Sequence, residues 1–242
     1  NLLMFIRQQA RLYPNQEQIQ YLNQEIGNQR FVWNSILAKS NERYESEKKF
    51  IFYNEAASML SVLKEEYNFL SLGGSQALQQ TLKDQDQALR NFLKSKKTNG
   101  KFGYPKFKKK GNGGSVRYPQ GCSLDSNRLK IPKIKTGIKV KNYQNVQNFN
   151  SVTILKKPSG KWFASFVVEI PEVEKVQITL ESKVVGVDLN SKFFVALDNG
   201  QAIDNQKFLK QKEKRLKKYQ RRMSRMAKGS SNRNKQRIKV AR

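Results

Sequence analysis

One carboxylate of this chain stands where chemistry could take place. Asp188 ends a short apolar run at the start of the segment VVGVDLNSKFFVALDNG, residues 184–200. A second apolar run, Phe193–Leu197, follows after a short break, and the segment therefore predicts two adjacent strands joined by a tight turn. A carboxylate at the inner end of a buried strand is costly unless its charge is offset, and a divalent cation is a common offset. The alternative is that Asp188 caps its strand and that Lys192 neutralises it.

The composition limits the chemistry that could accompany this carboxylate. The sequence contains no histidine and a single cysteine, Cys122. These counts exclude Ser-His and Cys-His nucleophiles, histidine metal ligands, internal disulfides and a cysteine zinc site within these residues. Any catalysis here would depend on carboxylates and metal ions. With 242 residues, of which 37% are hydrophobic, the chain can bury a core.

The charge of the chain indicates the class of its partner. The formal net charge is +28, which favours a polyanion: nucleic acid is the first candidate and an anionic membrane the second. Residues 1–100 contain 13 basic and 10 acidic residues, whereas residues 101–242 contain 34 and 9. We therefore expect phosphate groups mainly on the second part. No run of 18 apolar residues and no signal peptide is found, so a membrane span is not expected.

The periodicity of the first hundred residues predicts one strand followed by three helices. Residues 4–12 alternate apolar and basic side chains and end at Tyr13-Pro14, as a strand does. Helices are predicted over residues 15–48 with Asn15 as N-cap, over 55–67, and over 75–98 with Ser75 as N-cap. Three such amphipathic helices can pack as a small bundle.

After residue 98 the pattern becomes extended. Short strands are predicted at 115–118, 128–131, 137–140, 152–156 and 161–170. Gly and Pro separate them, which is typical of a small antiparallel barrel. The strand at residues 4–12 is expected to join this barrel, so that the helices form an insertion between its first and second strands.

Two basic segments are candidates for nucleic-acid contact. Residues 101–110, KFGYPKFKKK, place aromatic side chains among lysines in a loop, which suits stacking on bases with lysines on phosphates. The alternative is a hydrophobic strand edge with a solvated face. Residues 205–242 hold 16 Lys and Arg and one acid, Glu213, which is expected to pair with a lysine. They predict a basic helix over 205–228 and a second one that runs to Arg242, beyond which we expect further sequence.

Four segments, in order along the chain, resemble the TnpB (OrfB) family of transposon-encoded, RNA-guided DNA endonucleases, the ancestors of type V CRISPR effectors. The segments are FIRQQARLYPNQEQIQYLNQEIGNQRFVWNSIL, SQALQQTLKDQDQALRNFL, FGYPKFKKKG and GVDLNSKFFVALDNG. They are similar to the family's opening strand with its long helix, its Gln-rich helix that enters DNA, its lysine-rich loop and its first RuvC motif. The basic helix pair that follows is also similar. Together they span the whole chain.

The resemblance implies an α+β multidomain fold. Residues 1–14 would be the first strand of a wedge-type antiparallel β-barrel, 15–98 an inserted recognition helical bundle, 99–180 the rest of the wedge barrel, and 184–242 the N-terminal part of a RuvC (RNase H-like) domain. The implied partners are a guide RNA and target double-stranded DNA with a short flanking motif, without a membrane, and a monomer is favoured. The implied location is the cytoplasm of a bacterium or archaeon, at the nucleoid.

The resemblance also implies roles for particular residues. Asp188 would be the first of three carboxylates that hold two Mg²⁺ ions for cleavage, while the other two carboxylates and a zinc ribbon belong to segments outside this sequence. The DNA motif would be read by Gln76, Gln79 and Gln80, with Tyr53 and Asn54 as lesser candidates, because glutamine can pair with adenine in the major groove. The alternative is that these glutamines are exposed helix formers. The expected contacts to the nucleic-acid backbone come from Lys106, Lys108, Lys109, Lys110, Lys217, Lys218, Arg221, Arg222 and Arg225.

Three functions stay open at this point. The chain could belong to a complete Mg²⁺-dependent RuvC nuclease, whose missing carboxylates lie in further sequence. It could be a shortened, nuclease-inactive relative that represses transcription under RNA guidance. It could also be a basic RNA-binding protein without a guide. The presence of Asp188 favours the first.

Overall fold

Strand β1 (Leu3–Tyr13) lies at the centre of the largest sheet in the computed structural model, which describes residues 3–98, 100–111, 113–141, 146, 149–171 and 185–242. The chain forms two compact units, Asn1–Pro171 and Glu172–Arg242. The other elements of the first unit are α1 (Gln16–Glu47), α2 (Tyr53–Glu66), a 3-10 turn (Asn68–Leu70), α3 (Ser75–Lys97), β2 (Gly114–Tyr118), β3 (Ser123–Asp125), β4 (Arg128–Ile131), β5 (Ile134–Lys141), β6 (Phe149–Lys156) and β7 (Trp162–Pro171).

The seven strands of the first unit form one antiparallel sheet in the order β2-β6-β7-β1-β5-β4-β3. The strand at residues 4–12 and all five later strands are confirmed, and β3 is an addition that the sequence pattern missed. No pairing of β2 with β3, which would close a barrel, is found among the described residues, so closure stays a prediction. The three helices lie in sequence between two strands of this sheet, as expected of an insertion.

Helix α1 belongs to two hydrophobic cores. Leu22 packs into the core beneath the sheet, whereas Val32 and Ile36 pack with α2 and α3 in a second core. The predicted N-cap is confirmed: the Asn15 side chain accepts from Gln18 N (2.8 Å), and the Gln18 side chain accepts from Asn15 N (3.0 Å). The long helix therefore fixes the helical bundle to the sheet. None of the helices in the described ranges is long and apolar enough to cross a bilayer.

Two helix starts differ from the prediction, and both are set by distant partners. Helix α2 begins at Tyr53 rather than at residue 55, because the Asp86 carboxylate of α3 accepts a hydrogen bond from Tyr53 N (3.1 Å). The N-cap of α3 is Gly74 and not Ser75. The Ser75 hydroxyl instead accepts a hydrogen bond from Lys64 Nζ (2.9 Å).

The junction before α3 is built around a buried carboxylate. Glu25 of α1 has 0% exposure, and its Oε1 accepts a hydrogen bond from Gly74 N (2.8 Å). A Cβ on Gly73 would lie 2.7 Å from Asn28 Nδ2 and 2.9 Å from Glu25 Oε1, so a larger residue there would displace these two side chains. Lys133, in the turn after β4, donates to the carbonyl of Gly73 (2.9 Å). The junction thus joins α1, the start of α3 and one turn of the sheet.

The second oxygen of Glu25 is buried without a well-formed hydrogen bond in the described part of the chain. It shares this site with the hydroxyl groups of Tyr21 and Tyr118, which are also without one. Burial raises the pKa of Glu25, while the Gly74 hydrogen bond and the charge of Lys133 act in the opposite direction. Burial also raises the pKa of both tyrosines, which therefore stay protonated.

The second unit consists of a small sheet and two helices. Its elements are β8 (Val187–Asp188), β9 (Phe193–Leu197), β10 (Ala202–Asp204), α4 (Phe208–Ser224) and α5 (Ser231–Ala241), with the strands in the antiparallel order β10-β9-β8. The predicted hairpin and both basic helices are confirmed, whereas β10 was missed. Within residues 185–242 the buried residue is polar, Gln236, and apolar side chains such as Val187, Phe194 and Leu209 are exposed.

We expect Glu25→Gln to change the pH dependence of stability. The native pKa of Glu25 lies above its ordinary value of 4.5, so the native state binds this proton more tightly than the unfolded chain. The wild type should therefore lose stability relative to Glu25→Gln as the pH rises from below 4.5 through the native pKa. The loss is about 1.4 kcal/mol for each unit of pKa difference. Urea unfolding between pH 4 and pH 7 measures it.

A matched control is Glu42→Gln, which changes an exposed acid on the same helix. Its free energy of unfolding should change with pH in the same way as that of the wild type. Parallel curves for the wild type and Glu25→Gln would contradict the prediction, because they would show that Glu25 has the same pKa in the native and unfolded states.

Candidate nucleic-acid interface

The lysine-rich loop, residues 101–110, is held on helix α1. It forms neither helix nor strand, so the alternative of a strand edge is wrong. Trp33 Nε1 donates to the carbonyl of Lys106 (3.0 Å). The Asn34 side chain donates to the carbonyl of Lys108 (2.9 Å) and accepts from its N–H (2.8 Å). The backbone of the loop is therefore positioned by two neighbouring residues of α1 to which the sequence had assigned no role.

The four lysines predicted for this loop are not equivalent. All four are exposed and project from a fixed backbone, but Lys108 alone among them contacts an aromatic ring in the described part of the chain. The Lys108 amino group lies 3.8 Å from the centroid of the Trp33 ring. Burial at this ring lowers the pKa of Lys108, while the charge of Asp84 acts in the opposite direction. All four lysines are thus accessible to phosphates, and Lys108 also packs on Trp33.

The aromatic residues of the loop also divide into two groups. Phe102 and Phe107 are 65% and 51% exposed, so their ring faces can stack on bases. Tyr104 points inward and its hydroxyl donates to Asn41 Oδ1 (2.5 Å).

The predicted motif-reading glutamines occupy one side of α3. Gln76 and Gln79 are exposed and Gln80 is half-buried, at spacings of three and four residues. Gln80 Nε2 donates to Asp84 Oδ1 (3.0 Å), which orients the amide. Gln85 of the same helix donates to the carbonyl of Trp33 (3.1 Å), and Trp33 binds the backbone of Lys106, so α3 lies beside the lysine-rich loop.

The two lesser candidates differ in accessibility. Tyr53 packs against the second hydrophobic core, and Lys83 lies 5.6 Å above its ring. Asn54 is exposed at the start of α2. Asn54 is therefore accessible to a ligand, whereas the Tyr53 side chain mainly packs against the core.

The hairpin presents Asp188 without crowding. Asp188 pairs with Ala196 of β9, and Ala196 pairs with Ala202 of β10, so the cross-strand neighbours on its face are small. Asp188 Oδ2 accepts a hydrogen bond from Asn190 Nδ2 (3.0 Å). Asn190 also accepts from Phe193 N (2.8 Å), which fixes the turn. Residue 184, the first of the predicted segment, lies outside the described residues.

The carboxylates of this unit do not by themselves form a metal site. Among the described residues no cluster of three or more His, Cys, Asp or Glu could hold an ion. Asp198 is engaged elsewhere, since its Oδ2 accepts from Gly186 N (2.7 Å). The residues present do not by themselves form a Mg²⁺ site, because Asp188 is the single carboxylate that they contribute at the predicted position. Lys192 does not neutralise it either: within residues 185–242 it makes no ion pair with Asp188 and lies over the Phe193 ring.

Helix α4 carries a basic groove of about 750 Å³. Its lining comprises Lys214, Lys217, Lys218, Arg221, Arg222, Arg225 and Met226. The structure thus brings together all five predicted basic residues of this helix, and adds Lys214 and Met226, which the sequence analysis missed. Glu213 pairs with Lys217 at 2.8 Å, as expected, and the hydrogen bond from Lys217 lowers the pKa of Glu213.

Helix α5 packs against α4 through polar contacts. Gln236 Nε2 donates to the carbonyl of Tyr219 (3.2 Å), and Arg233 Nη1 donates to the carbonyl of Met226 (3.0 Å). The Ser230 hydroxyl caps α5 by accepting from Arg233 N (3.2 Å). These contacts leave the cations of the groove exposed to a ligand.

We expect Asn34→Ala to release the lysine-rich loop. The substitution removes both hydrogen bonds to Lys108 and should cost about 1–3 kcal/mol of stability. Trypsin should then cleave within residues 101–110 faster than in the wild type, as measured by mass spectrometry of timed digests. Asn54→Ala, which changes an exposed asparagine, should digest like the wild type. Equal digestion rates for all three proteins would contradict the anchoring role.

Two domain families match the chain. Residues 4–49 match the "Helix-turn-helix domain" of OrfB proteins of the IS605 type, and residues 165–242 match the "Probable transposase" domain of the same proteins. The structure shows one strand and one long helix over residues 4–49, so no helix-turn-helix is present there.

Two curated proteins are similar along almost the whole chain. "Putative RNA-guided DNA endonuclease InsQ" of Escherichia coli (strain K12) is 32% identical over 96% of this chain and 56% of its own length. "Putative RNA-guided DNA endonuclease" of Streptomyces pristinaespiralis is 30% identical over 96% of this chain and 58% of its own length. The chain therefore spans a little over half the length of these relatives.

A solved structure is also similar, the "Cryo-EM structure of the Cas12f1-sgRNA-target DNA complex". It matches 91% of this chain and 62% of that chain, at 12% identity and a TM-score of 0.36. A TM-score this low supports no statement about the fold. The two domain matches and the two curated relatives agree with the four resembling segments. The chain belongs to the OrfB (TnpB) family.

Proposed function

We propose that this chain is the nucleic-acid-binding part of a TnpB-type protein that locates double-stranded DNA with a guide RNA and a short flanking motif. The observation that carries the proposal is the basic groove of α4, in which six cationic side chains converge. Phosphates are the ligands that such a groove recognises. The names of the two curated relatives agree with this function. Such a protein would act in the cytoplasm, at the nucleoid.

The proposed organisation follows the order of the elements. Strand β1 and residues 99–180 would form a closed wedge barrel, and residues 15–98 the recognition lobe inserted into it. Residues 184–242 would begin a RuvC domain. The apolar side chains that β8, β9 and β10 expose support this last assignment, because a further layer of a larger domain would bury them.

The lysine-rich loop and the glutamine face of α3 are proposed to contact the DNA beside its motif. The Gln80 amide is well placed for this role: one N–H bonds to Asp84, which leaves the second N–H and Oε1 for the N7 and N6 groups of adenine. Lys106, Lys109 and Lys110, on the adjoining loop, would hold the backbone.

Cleavage is proposed only for the protein that includes the remaining carboxylates. Asp188 would contribute one ligand to Mg²⁺, and the described residues contain no set that could complete the site. We therefore derive no cleavage step for this chain. Its own residues support binding and positioning of nucleic acid.

Gln80→Ala tests the reading of the flanking motif. The change should reduce discrimination between duplexes that carry the preferred motif and duplexes with one altered adenine, by about five- to a hundredfold in the ratio of their affinities. Filter binding of the guide-loaded protein to a set of motif variants measures this ratio. Gln87→Ala is the matched control, since Gln87 lies on the same helix and bonds to Asn91 (2.8 Å) as Gln80 bonds to Asp84. Unchanged discrimination by Gln80→Ala would overturn the assignment.

A triple substitution tests the α4 groove. Lys218→Gln, Arg221→Gln and Arg225→Gln together should weaken RNA binding and flatten the plot of log affinity against log salt concentration by about 2. The control replaces Lys207, Lys210 and Lys212 by Gln, which removes the same charge outside the groove. If both triple variants change the slope equally, net charge rather than the groove determines binding.

A further inference from the structure

A cavity of about 350 Å³ lies where the C-terminal ends of α1 and α3 meet the lysine-rich loop. Its apolar walls are the rings of Tyr44, Phe50, Phe92 and Tyr104. None of these four rings belongs to either hydrophobic core. The cavity walls therefore form a separate aromatic cluster beside the two cores.

The four rings form one connected cluster. Tyr44 and Phe50 are stacked, with centroids 4.3 Å apart and planes at 7°. Tyr104 lies 6.0 Å from Phe50 and meets Phe92 edge-on at 5.3 Å. Tyr44 stays 37% exposed. A cluster with this geometry offers both ring faces and ring edges to a planar ligand.

Polar side chains that line the cavity can form hydrogen bonds with the edge of a nucleobase. Asn41 lines the cavity and its Oδ1 accepts from the Tyr104 hydroxyl, while its Nδ2 has no hydrogen bond to the described residues and is available as a donor. Glu45 supplies an acceptor, and in the described part of the chain its carboxylate has no hydrogen bond or ion pair with another side chain. A donor and an acceptor side by side match the edges of nucleobases, whereas a phosphate would be repelled by the carboxylate.

Two lysines near the cavity can bind the phosphate of the nucleotide whose base occupies it. Lys96 lines it, and the Lys48 amino group lies 5.4 Å from the centroid of Tyr44. Aromatic walls, an acceptor and donor pair and flanking lysines are the combination with which proteins hold unstacked bases.

We propose that this cavity binds one unstacked nucleobase of a single strand bound to the protein. The proposal rests on the proposed function, since it requires that the chain binds nucleic acid. It assigns a base-binding site to residues that are separate from the glutamine face of α3 and from the groove of α4. The strand that enters is RNA or DNA, because both present the same base faces and edges.

The experiment uses short oligonucleotides with 2-aminopurine, a fluorescent adenine analogue, at one position. Stacking on the rings should quench its fluorescence when the wild-type protein binds. Tyr44→Leu should restore the fluorescence and weaken binding by about tenfold, the loss expected for one base–aromatic stack. Glu45→Ala, which removes the acceptor at an exposed position, should weaken binding with the fold intact. Tyr13→Leu removes an aromatic ring of similar exposure (48%) elsewhere and should behave like the wild type.

An oligoribonucleotide and the oligodeoxyribonucleotide of the same sequence are titrated in parallel. Quenching in either one that depends on Tyr44 supports the site and identifies the strand. Quenching and affinity that are unchanged in both Tyr44→Leu and Glu45→Ala would overturn the site. The proposed function would still stand in that case, provided that the α4 triple variant shows the predicted reduction in salt dependence. A wild-type protein that binds neither oligonucleotide would overturn both proposals.

Discussion

The buried carboxylate of Glu25 ties together parts of the first unit that are distant in sequence. It accepts the N–H of Gly74 at the start of α3, and the lack of a side chain at Gly73 allows the approach. Lys133 binds the same junction from the sheet. A buried charge of this kind is costly, and proteins retain one where its hydrogen bonds fix a geometry. Here the geometry is the direction of α3, which carries the glutamine face near its start and the aromatic cavity near its end.

The second half of α1 plays the corresponding role for the loop. Trp33 and Asn34 hold the loop backbone through Lys106 and Lys108, so the lysines that face solvent project from a fixed frame. Fixing the backbone lowers the entropy that would be lost when phosphates bind. The glutamine face of α3, the aromatic cavity and the lysine-rich loop are thereby all held in place by contacts with α1.

Local patterns in the sequence were sufficient for most of the elements. The capping box at Asn15 and the alternation in β1 depend on neighbouring residues, and both were predicted. The start of α2 depends on Asp86 and the N-cap of α3 on Glu25, 33 and 49 residues away, so no local pattern could contain them. The candidate site shows the same division. Charge runs identified the groove of α4, but charge could not separate Lys108, which packs on Trp33, from its neighbours. The aromatic cavity was missed because its rings come from three separate segments.

The central position of β1 determines when the sheet can form. Arg11 in this strand contacts Trp162 of β7, 151 residues later in the chain. A ribosome adds about 5–20 residues per second, so β1 waits roughly 8–30 s before its main partner is synthesised. The contacts within the helical bundle span much shorter separations and can form during this interval. Strand β1 is therefore synthesised long before it can pair with β7, and its apolar residues stay without this partner until β7 emerges.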